Sequence, residues 1–447
     1  MLTKTEAIKV TQDVLNLSPY AETEVALSSH HQLLTRFGDN RITQNVVRET
    51  LSLGIRANHR NRTARLEIDQ LDTESVKSAY QRLGGILEMI AEASSPPALY
   101  PPGDYYPEIK RNPIRGLTSE QAAESVQRAV AAAKKGRFLA SGIVSSDCQC
   151  LVLSNSKGLC LSDEISDSTF TCTMDGESGA ARGYSFQADP NRLEVDQAIT
   201  QSIKKCGRAQ NPVSVEPGFY DVVLEPAAVA ELVVFLGWLG LSGKAYLEKR
   251  SFCTGKLDQE ILAKNVSLAD DPLHSEIQGA FYDFQGVPKQ RTPMIENGVL
   301  KNLALDLKTA AKLGRKPTGH GVAEPNTEDP IPWNLNLEWS GEKAKREDLI
   351  SRVKRGLYVS QFHYTNAVDI MHPSVTGLTR NGLFLIENGK ISKPVRNLRF
   401  TQSLTAFLNS IEAVTPDQER ISTFFFGASL APTVLARGFH FSSGTEF

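Results

Sequence analysis

Hydrophobic and polar positions change period several times along the chain, and the first changes outline a helix–strand–helix segment. A capping box at residues 3–6 predicts a helix that continues to about Leu15. Alternating, β-rich sequence follows over residues 23–68, with turn residues at 38–40. A second helix is predicted from Thr73 to about Ala93.

A second segment repeats this order of elements. Residues 118–121 form another capping box, and its helix is expected to end near Lys135, with Gly136 just beyond the last turn. A helix is predicted at about 195–206. Between the two helices, strand-like stretches occur at 140–145, 150–153, 159–161, 169–174 and 183–186.

Two irregular stretches divide the chain into three parts. Residues 94–116 contain six prolines, a density that excludes regular helix and central strand, and residues 207–218 form a second linker. The third part begins with a strand at 219–224 and a helix that Pro226 opens, followed by many short strands. The order predicts an α+β protein with N-terminal helix–strand–helix domains and a β-rich C-terminal domain with two early helices. The expected domains are 1–95, 118–206 and 219–447.

Two copies of Ile-Glu-Asn-Gly, at 295–298 and 386–389, predict hairpins in the third part. Asn-Gly between apolar runs favours a two-residue turn in which both residues have positive φ, because Asn tolerates that conformation and Gly adopts it without steric cost.

Composition narrows the class of protein. Apolar residues make up 40% and charged residues 22%, as in ordinary globular proteins, and the formal net charge is −2 without any basic run. We therefore expect no nucleic-acid partner. Glu231 interrupts the most apolar window, 226–241, which is too short to span a membrane. The first residues lack the features of a signal peptide, and with six cysteines the prediction is a cytoplasmic protein with reduced thiols.

The stretches 284–300 and 377–395, each containing one Ile-Glu-Asn-Gly, resemble the C-terminal domain of the TldD/PmbA family, zinc metallopeptidases also described as modulators of DNA gyrase. In zinc-bearing members the strand-to-helix junction carries His-Glu-x-x-x-His, whose two His bind zinc and whose Glu activates a water. The matching positions here are Glu225, Pro226 and Ala230. Neither ligand is present, and Pro226 cannot accept a proton.

The family's C-terminal Cys ligand is also missing, since the last cysteine is Cys253 and residues 422–427 carry only hydroxyl and apolar groups. The chain thus resembles the PmbA (TldE) branch. That resemblance implies a non-catalytic subunit without a cofactor of its own, paired with a zinc-bearing TldD-like subunit that cleaves unfolded or flexible peptides. A homodimer is a further possibility for the chain alone.

The segment 361–372 is the best candidate for replacing the lost chemistry. It is predicted to be a polar loop between a strand at 357–361 and the hairpin near 383. We predict that four of its residues contact an extended peptide through aromatic and hydrogen-bonding groups. They are His363, Tyr364, Asn366 and Asp369.

Two other functions stay open. A stand-alone homodimeric metallopeptidase would bind metal at a non-standard site built from His363, Asp369, His372 or Glu225. A non-enzymatic scaffold would bind peptides and have no catalytic partner. The metal content of the purified protein separates the first from the second.

Two remaining signals favour structural roles. The middle segment holds four cysteines without a Cys-x-x-Cys pair, which indicates buried thiols rather than a zinc site. These are Cys148, Cys150, Cys160 and Cys172. His320, between two glycines, is interpreted as a turn residue, with a catalytic base as the alternative. Asn334 is expected near the groove in which a peptide would bind.

Overall fold

A computed structural model of the chain describes residues 1–93, 98–103, 106, 114–323, 325, 328–423 and 427–445. The helices within these ranges are α1 (Lys4–Asn16), α2 (Thr73–Met89), α3 (Ser119–Gly136), α4 (Val195–Arg208), α5 (Pro226–Gly240), α6 (Gly243–Leu247), α7 (Leu307–Leu313), α8 (Arg346–Ser351) and α9 (Leu404–Asn409). The strands are β1 (Glu22–Gly38), β2 (Arg41–His59), β3 (Arg62–Ile68), β4 (Leu139–Asn155), β5 (Cys160–Asp175), β6 (Ala180–Gln187), β7 (Gly218–Leu224), β8 (Val266–Asp270), β9 (Thr292–Glu296), β10 (Val299–Leu300), β11 (Leu335–Trp339), β12 (Glu342–Lys343), β13 (Arg355–Asp369), β14 (Ser374–Glu387), β15 (Lys390–Pro394), β16 (Leu398–Ser403), β17 (Ile411–Ser422) and β18 (Ala428–Gly444).

One antiparallel sheet, in the order β3-β2-β1-β4-β5-β6, contains the strands of the first two predicted domains. The ladder between β1 and β4 joins residues 24–37 to residues 142–155 and so connects the two segments directly. Each segment nevertheless contributes its own pair of helices, and each pair covers a separate buried cluster to which strands of both segments contribute. The boundary between 1–95 and 118–206 stays a prediction.

The four N-terminal helices pack on the same face of this sheet. Side chains alternate along a strand, so the odd-numbered residues of β1 share one face. Val25 and Leu27 belong to the cluster under α1 and α2, whereas Leu33 and Phe37 belong to the cluster under α3 and α4. The α+β prediction is confirmed, because helices and antiparallel strands are segregated rather than alternating in a parallel sheet.

Local signals located the helices well and the strands less well. Both capping boxes are formed, at Thr3–Glu6 and at Thr118–Gln121. The helix end near Gly136 was wrong in detail, because Gly136 is still helical and Arg137 takes the left-handed conformation, with φ 59°. The predicted stretches 140–145 and 150–153 are one strand, β4, because β1 pairs with it along almost its whole length.

The C-terminal part contains a four-stranded sheet, β10-β9-β8-β11, and a larger sheet in the order β12-β17-β18-β16-β14-β13-β7. Strand β18 pairs with both β16 and β7, which closes five strands into a ring. Helix α5 follows β7 directly and contacts β11, β13 and β18. It is therefore buried on most sides, which explains its apolar sequence. None of the helices in the described ranges is long and apolar enough to cross a bilayer.

Both Asn-Gly turns are confirmed. Asn297 and Gly298 have φ of 48° and 79° between β9 and β10, and Asn388 and Gly389 have 49° and 75° between β14 and β15. The predicted polar loop at 361–372 was wrong. Most of it belongs to β13, because β14 supplies a strand partner as far as the pair Asp369–Ser374.

Candidate functional site

A cavity of about 770 Å³ lies between α5 and β13, and we call it the groove. Its α5 wall follows helical spacing, so these side chains share one helix face. They are Ala227, Ala230, Glu231, Val234, Phe235 and Trp238. The opposite wall is residues 361–366 of β13, and the groove is completed by Arg182 of β6 and by Ile421, Ser422 and Thr423 at the end of β17.

A β-bulge shapes the β13 wall. His363 pairs with Leu378 and Asn366 with Thr376, so β13 has one residue more than β14 over this interval. Tyr364, inside the bulge, has φ 54°, a left-handed conformation that is costly for an aromatic residue. Its side chain is 75% exposed. The bulge therefore turns a large aromatic ring toward solvent at the groove.

Two of the other predicted residues also line the groove. The Nε2 atom of His363 is hydrogen-bonded to the Arg380 guanidinium, and burial followed by the charge of Arg380 lowers the pKa of His363. The imidazole is thus neutral near pH 7 and accepts from Arg380. The Asn366 side chain donates to the Tyr364 carbonyl at 3.0 Å and so supports the bulge.

The fourth predicted residue, Asp369, lies apart from the groove at the end of β13. Its Oδ1 accepts from the backbone N–H groups of Met371 and His372, at 2.8 and 3.0 Å, and its Oδ2 lies 3.2 Å from His372 Nδ1. These hydrogen bonds lower the pKa of the carboxyl. Asp369 therefore stabilises the turn into β14. Its predicted contact with peptide remains a prediction.

Glu231 is the acidic side chain of the groove wall. It stands on an otherwise apolar helix face, where burial raises the pKa of its carboxyl to about 6, opposed by the hydroxyl of Thr365. A carboxyl of this kind exchanges its proton near neutral pH and interacts strongly with a cation or a hydrogen-bond donor placed beside it.

The positions that match the zinc motif have other functions in this chain. Glu225 precedes α5 and is almost fully buried, and its two oxygens accept from Lys205 Nζ and Tyr358 Oη, each at 2.5 Å. Pro226 is the first residue of α5. Ala230 lines the groove with a methyl group. The carboxylate of Glu225 is thus already neutralised by a lysine.

These residues do not fit a zinc ion. A catalytic zinc needs about three protein ligands and an open position, and the matched set offers one engaged carboxylate. Nowhere in the described ranges do three His, Cys, Asp or Glu side chains come together in a way that could hold a metal. Ser422 and Thr423 reach the groove, and the rest of the predicted hydroxyl and apolar stretch, 424–426, lies outside the described residues.

The alternative metal set is dispersed. His363 and Asp369 pair with Leu378 and Ser374, which lie four residues apart on β14, a span of roughly 13 Å at ~3.3 Å per residue. His372 is almost fully exposed and pairs with Asp369, while His363 contacts the guanidinium cation of Arg380. The geometry therefore does not bring these groups to one point.

The other residues that the sequence singled out, His320, Asn334 and the clustered cysteines, lie outside the groove lining. His320 is buried, with Nε2 3.2 Å from Asp270 Oδ2 and Nδ1 2.8 Å from Thr318 Oγ1. The backbone N–H of Asn334 donates to the same Asp270. Of the four clustered cysteines, Cys160 is exposed and the others are buried.

Sequence reasoning missed three groove residues that matter for its chemistry, Glu231, Trp238 and Arg182. A signal for Glu231 was present, because a charge within an apolar helix is uncommon unless it has a function or a partner. Nothing local marked Trp238 or Arg182, since their place in the groove depends on how α5 and β6 pack.

Comparisons with known proteins identify the family and the fold. Residues 217–443, just over half of the chain, match the family model for the PmbA/TldA metallopeptidase C-terminal domain. The chain is 24% identical to a "Metalloprotease TldD homolog" of Haemophilus influenzae over 82% of this chain and 80% of that protein. It is 22% identical to "Metalloprotease PmbA" of Escherichia coli O157:H7 over 94% and 92%.

The crystal structure of TldE from Thermococcus kodakarensis superposes with a TM-score of 0.84 at 19% identity, covering 98% of this chain and 99% of that one. This likeness establishes the shared fold. Together with the match over residues 217–443, it defines the class of protein: the chain belongs to the TldD/PmbA family of metallopeptidase-related proteins.

Proposed function

We propose that this chain is a PmbA/TldE-like subunit that binds an extended peptide in the groove and presents it to a zinc-bearing TldD-like partner in the cytoplasm. One observation carries the proposal: the edge of β13 beyond Val359 is open. Strand β7 pairs only with residues 356–359 of β13, and among the described residues no strand continues that ladder along 361–369. The groove lies along this part of β13.

An open strand edge beside a cavity is suited to bind a peptide as an added strand. Backbone N–H and C=O groups at the edge would pair with the peptide main chain, which makes binding tolerant of sequence. The aromatic rings of Trp238, Phe235 and Tyr364 would cover apolar side chains of the peptide. Such a surface suits unfolded or flexible substrates, because folded proteins do not offer an unpaired strand.

Two features support a partner that supplies the catalyst. The positions that match the zinc motif hold no open ligand, so we infer that this chain binds no zinc and cleaves no peptide alone. At the far end of β13, Val368, Ile370 and Met371 are exposed next to one another. Exposed apolar side chains in a cluster are typical of a protein interface, and we infer that the partner covers them.

The test combines metal analysis with reconstitution. The purified chain should contain far less than one zinc per chain and should not hydrolyse a flexible peptide, whereas adding a TldD-type subunit should produce hydrolysis faster than that subunit alone. Replacing the Glu of the partner's His-Glu-x-x-x-His with Gln should abolish it. Chelator-sensitive hydrolysis by the isolated chain would disprove the non-catalytic role and favour a stand-alone metallopeptidase.

A groove variant tests the peptide-binding step. Tyr364→Ala should weaken peptide binding by the isolated chain by roughly tenfold, as expected when an exposed aromatic anchor is lost. Phe284→Ala is the matched control, because Phe284 is similarly exposed but does not line the groove. Equal peptide affinity of both variants and the unaltered chain would place the peptide elsewhere. Peptide binding without any gain in a partner's turnover would identify a scaffold.

A further inference from the structure

A second cavity, of about 690 Å³, is formed by α4, α8, β13 and the β14–β15 hairpin, and we call it the basic cavity. It differs sharply from the groove in charge. One acidic side chain, Glu347, lines it together with five cationic ones. The five cations are Lys204, Lys205, Arg208, Arg346 and Lys390.

Two of these cations already have acidic partners. Lys205 Nζ donates to Glu225 at 2.5 Å, and Arg346 Nη2 lies 3.2 Å from Glu419 Oε1. For the other three, the part of the chain that the structure describes offers no carboxylate within 4 Å: they are Lys204, Arg208 and Lys390. Three cations that share a cavity repel one another, and a bound anion would remove that repulsion.

The dipole of α4 explains only part of this charge. Lys205 and Arg208 lie in the last turn of the helix, where cations are favourable in any protein. Lys390 begins β15, more than 180 residues later, and Arg346 opens α8. In a chain whose formal net charge is −2, cations from three distant elements converge on one cavity.

The lining of the basic cavity also includes apolar side chains. Tyr358 and Phe384 line it but are only 5% and 4% exposed, so they offer a small apolar patch rather than an open ring face. The hydroxyl of Tyr358 donates to Glu225. Ile350 and Ile391, which are partly buried, complete the apolar part of the lining. A volume of this size suits a drug-sized or nucleotide-sized molecule.

We propose that the basic cavity binds a phosphorylated small molecule of nucleotide size. Its phosphates contact Lys204, Arg208 and Lys390, and its organic part fills the rest of the cavity beside Ile350 and Ile391. Phosphate oxygens are the groups that Lys and Arg bind through charge-assisted hydrogen bonds. Apolar side chains beside the cations, and a volume of about 690 Å³, favour a molecule with an organic part over inorganic phosphate alone.

The experiment is titration calorimetry of the full-length chain with three probes: ADP, pyrophosphate and adenosine. ADP should bind, pyrophosphate should bind more weakly, and adenosine should show no heat at the same concentrations. Binding should weaken as salt rises, because exposed charges are screened. A rise in the thermal midpoint with ADP is the independent readout. Absence of binding by both ADP and pyrophosphate at millimolar concentration would overturn the proposal.

Substitutions locate the site. Arg208→Gln and Lys390→Gln should each weaken ADP by roughly tenfold, the loss expected for one hydrogen bond to a charged group. Lys393→Gln is the matched control, since Lys393 lies on the same strand, β15, but does not line the cavity. Equal losses for Lys390→Gln and Lys393→Gln would mean that overall charge, not this site, binds the anion. A competition experiment gives a further check. If duplex nucleic acid displaced bound ADP from the unaltered chain and pyrophosphate did not, the result would also contradict a small-molecule site.

Discussion

The groove and the basic cavity share strand β13 but differ in the charge and polarity of their lining. β13 contributes residues 361–366 to the groove and Tyr358 to the basic cavity. The groove combines aromatic and apolar side chains with one acid, Glu231, and one strong cation, Arg182, whereas five cations and one acid line the basic cavity. Glu225 connects them, because it accepts hydrogen bonds from Lys205 and Tyr358 of the basic cavity and directly precedes the helix that forms the groove. We call these three residues the Glu225 network.

The largest expected effect comes from removing the Glu225 carboxylate. Glu225→Ala should lower the free energy of unfolding by about 2–3 kcal/mol, because it leaves the buried Tyr358 hydroxyl without an acceptor and Lys205 without its ion pair. The part-exposed Lys205 can turn toward water, which keeps the loss below that of a fully buried pair. Urea unfolding measures the change.

The matched control for that variant is Glu347→Ala. Glu347 lines the basic cavity but is exposed, so its substitution should change stability by less than ~0.5 kcal/mol. If both variants lose the same small amount of unfolding free energy, Glu225, Lys205 and Tyr358 do not form the stabilising buried network described here.

A smaller effect should distinguish the groove by its pH dependence. Burial raises the pKa of Glu231 to about 6 in the folded chain, above the value of 4.5 for an unperturbed carboxyl. The folded state therefore favours the protonated form, and ionisation of Glu231 costs stability above about pH 6. This cost disappears as the pH falls below 4.5.

Glu231→Gln imitates the protonated carboxyl, so it should stabilise the chain by about 1 kcal/mol near pH 8. The gain over the unaltered chain should stay constant above about pH 6 and shrink as the pH falls from 6 toward 4.5. A gain that does not vary with pH would show that lost ionisation is not its cause.

The smallest expected effect concerns the bulge. Tyr364 has φ 54°, which Gly adopts without cost and Ala does not. Tyr364→Gly should therefore be more stable than Tyr364→Ala by about 1 kcal/mol, while both lose the aromatic contact with peptide. Thermal unfolding compares the two proteins. Equal stabilities would mean that residue 364 leaves the left-handed region once its ring is removed.

Much of the helical structure could be predicted because its signals are local. The Thr3–Glu6 and Thr118–Gln121 capping boxes and the Asn297 and Asn388 turns depend on hydrogen bonds and steric limits within about four residues. For the segment 361–369, local signals gave the wrong secondary structure. Its polar residues resemble a loop, and only pairing with β14, and the bulge within that pairing, makes it a strand.

By itself, the sequence determined the class of fold, the family resemblance, and the departure from the zinc motif at positions 225, 226 and 230, because these depend on residue type and spacing along the chain. Three of the residues predicted to contact peptide, His363, Tyr364 and Asn366, line the groove, and their contact with peptide stays a prediction. Only the tertiary structure decided which charges meet. Glu225 meets Lys205 and Tyr358, and Lys390 joins the end of α4, through packing of strands and helices that lie 20 to more than 180 residues apart. Such contacts follow from how sheets and helices bury their apolar faces, which no local pattern specifies.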